Sequence, residues 1–308
     1  MLQTGGVLQN TMIQFHGESE KPPLLRPIIK TSERTDMVIQ IHVKDGIRPF
    51  EEWLALMEIS SLSGKKIDQL PKNRIIETKS RRNNIVQLCL SKLVFSDYII
   101  NEKSEKIPTL QHQREVGQNG KYNRKRNLRF GVHDLHEYKA KFWPQFVRSA
   151  INIECPISTN CLVLDPMMGS GTTAVEALSL NHRVVGFDIN PLSCLITEAK
   201  IALDSMNRND MDNLFQELKK LDTSISVNLE EVYESQVLKY LRLWFNEEDL
   251  EELVALRHQI EALPVKARTV GLAILSDIIN PISHQKESEQ RPKTVSYTHL
   301  TLPTICSV

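Results

Sequence analysis

Two short apolar runs on either side of a glycine loop constrain this 308-residue chain more than any other feature. CLVLDP (161–166) ends in Asp-Pro, and RVVGFD (183–188) ends in Asp. Continuous rather than alternating apolar patterning marks strands buried on both faces, as parallel strands are. Between them lie the loop MMGSG (167–171) and the helix former TTAVEALSL (172–180). Pro191 stands where a helix can begin, and LSCLITEAKIAL continues it. Strand, loop, helix, strand and helix make one and a half βαβ units of an open parallel sheet, which sets the fold class as α/β.

The loop reads Asp165-Pro166-Met167-Met168-Gly169-Ser170-Gly171-Thr172-Thr173, and the second strand leads into Gly186-Phe187-Asp188-Ile189-Asn190-Pro191. Glycines between a strand and a helix allow a sharp turn and let a ligand approach the backbone. An acidic residue ending the next strand can accept hydrogen bonds from two ribose hydroxyls. Asp188 follows Asp165 by 188 − 165 = 23 positions, close to the offset of ~20 expected for that task. The G-x-G-x-x-G of dinucleotide sites and the Gly-Lys-Ser/Thr of phosphate loops are both missing. An acidic residue ahead of the glycines suits a cationic, amine-bearing nucleoside, and S-adenosylmethionine carries a sulfonium, an amino group and a ribose.

The remainder divides by texture. Residues 1–36, with Pro22, Pro23 and Pro27, read as poorly ordered. Residues 37–100 read as a small, mostly helical module. MVIQIHV (37–43) is a strand candidate; Phe50, Trp53, Leu54 and Met57 form one helical stripe, and Val86, Leu90, Leu93 and Val94 a second. This module reads as a packing appendage in preference to a DNA-contacting one. Residues 101–130 are a polar linker ending in KYNRKRNLR (121–129), expected to contact phosphates. Residues 131–205 are the cofactor-binding half, and 206–293 a helical insertion with a stripe at Leu253, Leu256, Ile260 and Leu263. Its acidic run at 247–252 suits the positive end of a helix dipole. The five cysteines show no CxxC spacing, so core thiols are expected, without a disulfide framework or zinc site. No signal peptide or run long enough for a membrane helix is evident, so a cytoplasmic protein is expected. Net charge is zero, which excludes a uniformly basic coat.

DPMMGSGTTAVEAL…VVGFDINPLS resembles the D-P-F-x-G-S-G-T…G-x-D-x-N-P signature of the DNA amino-methyltransferases, which modify N4 of cytosine or N6 of adenine. Upstream, the segment from His133 through His136, Tyr138, Lys139, Ala140, Lys141 and Phe142 to Pro144 resembles their H-x-x-H-x-Y-x-A-K-F-x-P. Downstream, YLRLWFNEEDLEELVALRHQIEAL is similar to the helical insertion of one subgroup. The resemblance implies a Rossmann-like S-adenosylmethionine-dependent methyltransferase sheet, here incomplete. It places Asp165, Gly169 and Gly171 around the methionine part of the cofactor, with Pro166, Ser170 and Thr172 of the same loop also cofactor-binding. Asp188 would hold the ribose, and Asn190 and Pro191 would shape the adenine side. Tyr138, Lys141 and Phe142 would close over the cofactor. His133 and His136 are expected to be structural hydrogen bonders, and no metal is expected.

The family's catalytic [DSN]-P-P-[YFW] motif is absent. Pro22-Pro23 is flanked by Lys21 and Leu24, and Asn280-Pro281-Ile282 lacks the second proline. Its aromatic would stack on a flipped base, so no catalytic residue is assigned. The chargeless tail TVSYTHLTLPTICSV (294–308) is similar to translated sequencing-adaptor read-through. The chain is therefore read as a C-terminally truncated, inactive fragment of a restriction-modification methyltransferase. Double-stranded DNA and a cognate restriction endonuclease are the expected partners, and no membrane is. The rival readings are an RNA-base methyltransferase and a non-catalytic nucleic-acid-binding protein on a methyltransferase core.

Overall fold

The computed structural model describes residues 11–15, 37–80, 85–101, 104–116, 130–139, 141–156, 160–222 and 224–284. In chain order these form β1 (Thr11–Phe15), β2 (Met37–Val43), α1 (Pro49–Ser63), β3 (Ile75–Ser80), α2 (Ile85–Lys92), β4 (Ser96–Ile100), β5 (Lys106–Pro108) and α3 (Leu110–Val116). A 3-10 turn (Gly131–Asp134) leads to α4 (Pro144–Glu154), β6 (Leu162–Asp165), α5 (Thr172–Ser179), β7 (Arg183–Asp188) and α6 (Pro191–Asp204). Then follow α7 (Arg208–Lys219), α8 (Leu229–Val232), α9 (Ser235–Leu241), α10 (Glu247–Glu261) and α11 (Val265–Ile282). The basic cluster at 121–129 and the tail at 294–308 lie outside the described residues.

The two apolar runs form the parallel pair β6–β7, in register from Leu162↔Arg183 to Asp165↔Gly186. The sheet order is β1-β7-β6. β1 corrects the expectation of disorder for Thr11–Phe15, which pair antiparallel with β7 from Thr11↔Asp188 to Phe15↔Val184; the rest of 1–36 lies outside the described residues. The strand satisfies backbone groups that an edge would leave open. Its sequence, TMIQF, alternates in the manner of a strand, but the surrounding prolines and charges masked the signal. On the other side β6 is an edge among the described residues, with Leu162 and Leu164 58% and 63% exposed.

The module at 37–100 is not mostly helical, which corrects the sequence reading. Its centre is an antiparallel sheet, β3-β2-β4-β5, with α1 and α2 packed against it. β3 and β4 are short and carry polar residues, so helical spacing in their neighbours dominated the pattern. The stripe on α1 is also corrected. Phe50, Trp53 and Met57 face outward, and the helix buries Leu54, Ala55, Glu58, Ile59 and Leu62. An apolar stripe one face away was more visible because Glu58 interrupts the true one. α2 ends at Lys92, and Leu93 and Val94 are fully buried beyond it.

Buried polar contacts join this module to α4. Glu58 accepts hydrogen bonds from the Val94 amide and from Asn152 Nδ2, each at 3.2 Å. Lys92 Nζ donates to the carbonyls of Cys155 and Pro156 at 3.1 Å, and Arg148 Nη2 donates to the Ser91 carbonyl at 2.9 Å. Trp143 and Ile153 add apolar contact with the module core. The expectation that the cysteines are core thiols holds for buried Cys89 and Cys194. It is corrected for Cys155 and Cys161, which form a disulfide. The connection from α4 to β6 brings these two sulfurs together, a proximity that spacing alone does not reveal.

The segment 206–284 holds helices and no strand among the described residues. Leu253, Leu256 and Ile260 pack with Leu272 and Leu275 of α11, and Leu263 joins a neighbouring cluster. Glu247, Glu248 and Asp249 occupy the first turn of α10, where the helix dipole favours negative charge. α11 lies along α6 through Val270, Ala273 and Ala199. Among the described residues no helix is long and apolar enough to cross a membrane.

Glu58 gives the module joint a pH signature. Burial raises its carboxyl from 4.5 to about 7, against the opposing effect of its hydrogen bonds. The folded state thus favours the protonated form. Its contribution is complete below about pH 4.5 and is lost as the pH rises through about 7, a change on the order of 3 kcal/mol. Urea unfolding across this range should show stability falling with pH, and Glu58→Gln should flatten that part of the profile.

Candidate functional site

The site is assembled where β6 and β7 end. Asp165 turns back on its own loop and accepts from the Met167 amide at 3.2 Å. The Met168 amide donates to the Phe187 carbonyl, and the Gly171 amide to that of Met168, both at 2.9 Å. Gly169 and Gly171 have φ of +50° and +72°, which explains why the tight passage into α5 uses glycine. A Cβ on Gly169 would meet the Tyr138 ring at 3.3 Å. One on Gly171 would lie 2.5 Å from Thr197.

Asp188 is the joint between the two strands. Its Oδ2 accepts from the Gly169 amide at 2.9 Å, and its Oδ1 from the Asn190 amide at 2.8 Å. Each oxygen keeps acceptor capacity beyond that one bond, and the residue is half-exposed. Asn190 caps α6 by accepting from the Leu192 amide at 3.0 Å, and Pro191 takes the first helical position. The exposed side chains of Met167 and Ile189, 81% and 86% accessible, provide apolar surface next to this carboxylate.

Two α6 side chains hold the loop from beneath. Thr197 Oγ1 donates to the Gly169 carbonyl at 3.2 Å and Lys200 Nζ to that of Ser170 at 2.9 Å. Burial, reinforced by the charge on Lys141, pulls Lys200 down to about 7. Ser170 Oγ and Thr172 Oγ1 are buried without a hydrogen-bond partner among the described residues. Such groups normally find one, so their polarity fits a loop whose ligand is polar.

The segment before α4 meets the loop through Tyr138, whose hydroxyl lies 2.8 Å from Ser193 Oγ. Lys141 turns away to donate to the His133 carbonyl at 2.8 Å, and Phe142 is 61% exposed. Pro166 is exposed on the outer turn of the loop. The fold therefore brings Tyr138, Asp165, Gly169, Ser170, Gly171, Thr172, Asp188 and Asn190 to one sheet edge. Lys141 and Phe142 do not join them directly.

His133 and His136 are buried and hydrogen-bonded. His133 Nε2 is 2.8 Å from Glu176 Oε1, and His136 Nε2 is 3.0 Å from Ser276 Oγ on α11. The Glu137 amide donates to Asp277 Oδ1 at 2.8 Å, so the insertion also anchors this segment. Glu176, Arg148, Thr197 and Lys200 were not singled out from sequence. Their signal is a charged or hydroxyl residue on the apolar face of a helix. A cavity of about 230 Å³ lies among Arg114, Phe130, His133, Val175, Glu176 and Asp204, and its lining includes no residue of the glycine loop.

A parallel strand–loop–helix–strand unit with a turned-in glycine loop and a carboxylate at the next strand end defines a nucleoside-cofactor-binding α/β protein. The comparisons give the family. The model described as DNA methylase, of the N6/N4 amino-methyltransferase type, matches residues 38–199, and the chain belongs to this family. It is similar to the type II methyltransferase M.MjaII of Methanocaldococcus jannaschii, 40% identical over 70 residues, 23% of this chain and 13% of that protein. It is also similar to M.MvaI of Kocuria varians, 27% identical over 165 residues, covering 51% and 36% of the two chains. M.BsoBI of Geobacillus stearothermophilus is 26% identical over 166 residues, covering 53% of this chain and 31% of that one. The matched part thus spans about a third or less of these relatives. No solved structure matches. The family uses S-adenosyl-L-methionine as methyl donor.

The loop geometry yields a direct test. Gly46 and Gly171 share a positive φ, +68° and +72°, but a Cβ at Gly46 meets no described residue within 4 Å. Gly171→Ala should therefore lower the unfolding free energy by roughly 1–3 kcal/mol more than Gly46→Ala, because only the former drives a methyl into Thr197. Urea titration of both variants measures the difference.

Proposed function

We propose that this chain is the cofactor-binding half of a DNA amino-methyltransferase, which transfers a methyl group to N4 of cytosine or N6 of adenine within a restriction-modification system. The observation that carries this reading is the half-exposed Asp188 carboxylate, held at the end of β7 by the Gly169 and Asn190 amides. S-adenosyl-L-methionine supplies a methyl group on a positively charged sulfur. Asp188 would accept from the ribose hydroxyls with the lone pairs its backbone partners leave free. Asp165, Gly169, Ser170, Gly171 and Thr172 would line the methionine part, with Pro166 shaping the turn. Asn190 and Pro191 would flank the adenine, and Tyr138 would cover the loop. Lys141 would act through the His133 carbonyl it holds, and Phe142 would close inward on binding.

Activation of the base nitrogen requires groups that this sequence does not carry, since no [DSN]-P-P-[YFW] motif is present. The edge of β6, unpaired among the described residues and bearing exposed Leu162 and Leu164, supports the view that further strands complete the sheet in a longer parent. Double-stranded DNA is the substrate of that parent, with residues 121–129 contacting its phosphates and a cognate endonuclease sharing its recognition site.

Calorimetry on the 308-residue chain tests the proposal. The chain should bind S-adenosylmethionine, and Asp188→Ala should weaken that binding by at least about tenfold, the order expected when a charged acceptor is removed. The same chain incubated with labelled cofactor and mixed-sequence DNA should transfer no label. Unchanged affinity in Asp188→Ala would overturn the site, and enzyme-dependent labelling would overturn the fragment reading.

A further inference from the structure

Behind the glycine loop, the helix that the loop starts carries a carboxylate with no access to solvent. Glu176 lies on α5 and is 1% exposed. Its Oε1 is 2.8 Å from His133 Nε2, and its Oε2 accepts from Arg148 Nη1 at 2.9 Å. Arg148, itself 2% exposed, also donates to Ser179 Oγ at 2.7 Å and to the Ser91 carbonyl at 2.9 Å. One carboxylate thus ties together the loop helix, the segment that carries Tyr138, α4 and the 37–100 module. A carboxylate buried this deeply persists as an anion only when it is paired and hydrogen-bonded. Here the pairing prevails: burial alone would raise Glu176, yet the His133 hydrogen bond and the Arg148 charge hold it at about 2.

The tie leads to the cofactor loop by a short path. His133 begins the segment, and its carbonyl accepts from Lys141 eight residues later. Between them Tyr138 lies against Gly169, and its hydroxyl reaches Ser193. If His133 shifts, its carbonyl moves away from Lys141, and the span that carries Tyr138 keeps only the support that His136 and Glu137 take from α11 and the contacts of its own ends.

We propose that Glu176 is a positioning residue for cofactor binding, fixing through His133 where the 133–142 segment closes over the glycine loop. This rests on the reading of that loop as an S-adenosylmethionine site. The effect is selective. Tyr138 stands over the part of the loop assigned to the methionine moiety, whereas Asp188 and Asn190, assigned to the nucleoside, have no hydrogen bond to the segment among the described residues and meet it only through Gly169 and Ser193.

The experiment compares S-adenosylmethionine with adenosine as calorimetric ligands of the full 308-residue chain. Glu176→Gln should weaken S-adenosylmethionine by at least about tenfold, within the range for a lost supporting partner at ligand-holding metal sites. Adenosine affinity should change less than about twofold, near the limit of a supporting effect. His133→Phe keeps the ring packed on Phe130, 5.3 Å away, and removes only the tie to Glu176. It should give the same split with a cooperative melt retained. Unchanged S-adenosylmethionine affinity in a folded variant would overturn the inference, as would equal loss of both ligands. Loss of cooperative melting in both variants would also overturn it, since the contact would then serve the fold rather than the segment. Failure of the unaltered chain to bind either ligand would instead remove the site reading on which the inference stands.

Discussion

The bond from the Gly169 amide to the Asp188 carboxylate, 2.9 Å long, closes the loop of one strand onto the end of the next. It exists because β6 and β7 run parallel with Asp165 opposite Gly186. That register brings the first loop and the second strand end to the same edge. A slip of one residue would exchange the faces of the slipped strand and draw the loop away from the acidic strand end. A Cβ on Gly186 would strike Met168 Sδ, so a side chain there would require Met168 to move aside. Strand register, loop closure and the acidic end of β7 are therefore one constraint expressed in three places.

Around that constraint the molecule is held by buried polar joints as much as by apolar packing. Glu58 with Asn152, Arg148 with Glu176, and Lys200 with the Ser170 carbonyl each connect elements distant in sequence. Such joints are demanding, because removing one partner of a buried ion pair costs about 3–5 kcal/mol. They fix geometry where apolar contact alone would permit sliding. The segment that carries Tyr138 is held from two sides in this way, by Glu176 of α5 and by Ser276 and Asp277 of α11.

The strands, loop and helices over 161–204 were legible because their signals are local: apolar runs, glycines, and a proline at a helix start. The stripe of α10 was legible for the same reason. The expected burial of β6 on both faces is corrected, since Leu162 and Leu164 are exposed beside an edge with no partner strand among the described residues. What escaped depends on contacts far apart in sequence. β1 is a strand through its pairing with β7. Glu176 and Glu58 read as ordinary charged residues until their partners, 43 and 94 positions away, are seen. The outward stripe of Phe50, Trp53 and Met57 is the converse case. Its spacing is that of a core face, yet it is exposed because the sheet β3-β2-β4-β5 takes the adjacent face of α1. Residue identity anticipated that Asp188 and the glycines would meet at one place in the fold. It could not anticipate that Lys141 would turn toward the His133 carbonyl.

The central claim is that the ends of β6 and β7 hold the methyl donor. Hydrogen–deuterium exchange on the 308-residue chain, with and without S-adenosylmethionine, tests it most directly. The account predicts added protection in the loop at 165–171, the strand end at 186–190 and the span around Tyr138, with the β2–β5 sheet unchanged. Protection elsewhere, or none at saturating cofactor, would contradict it.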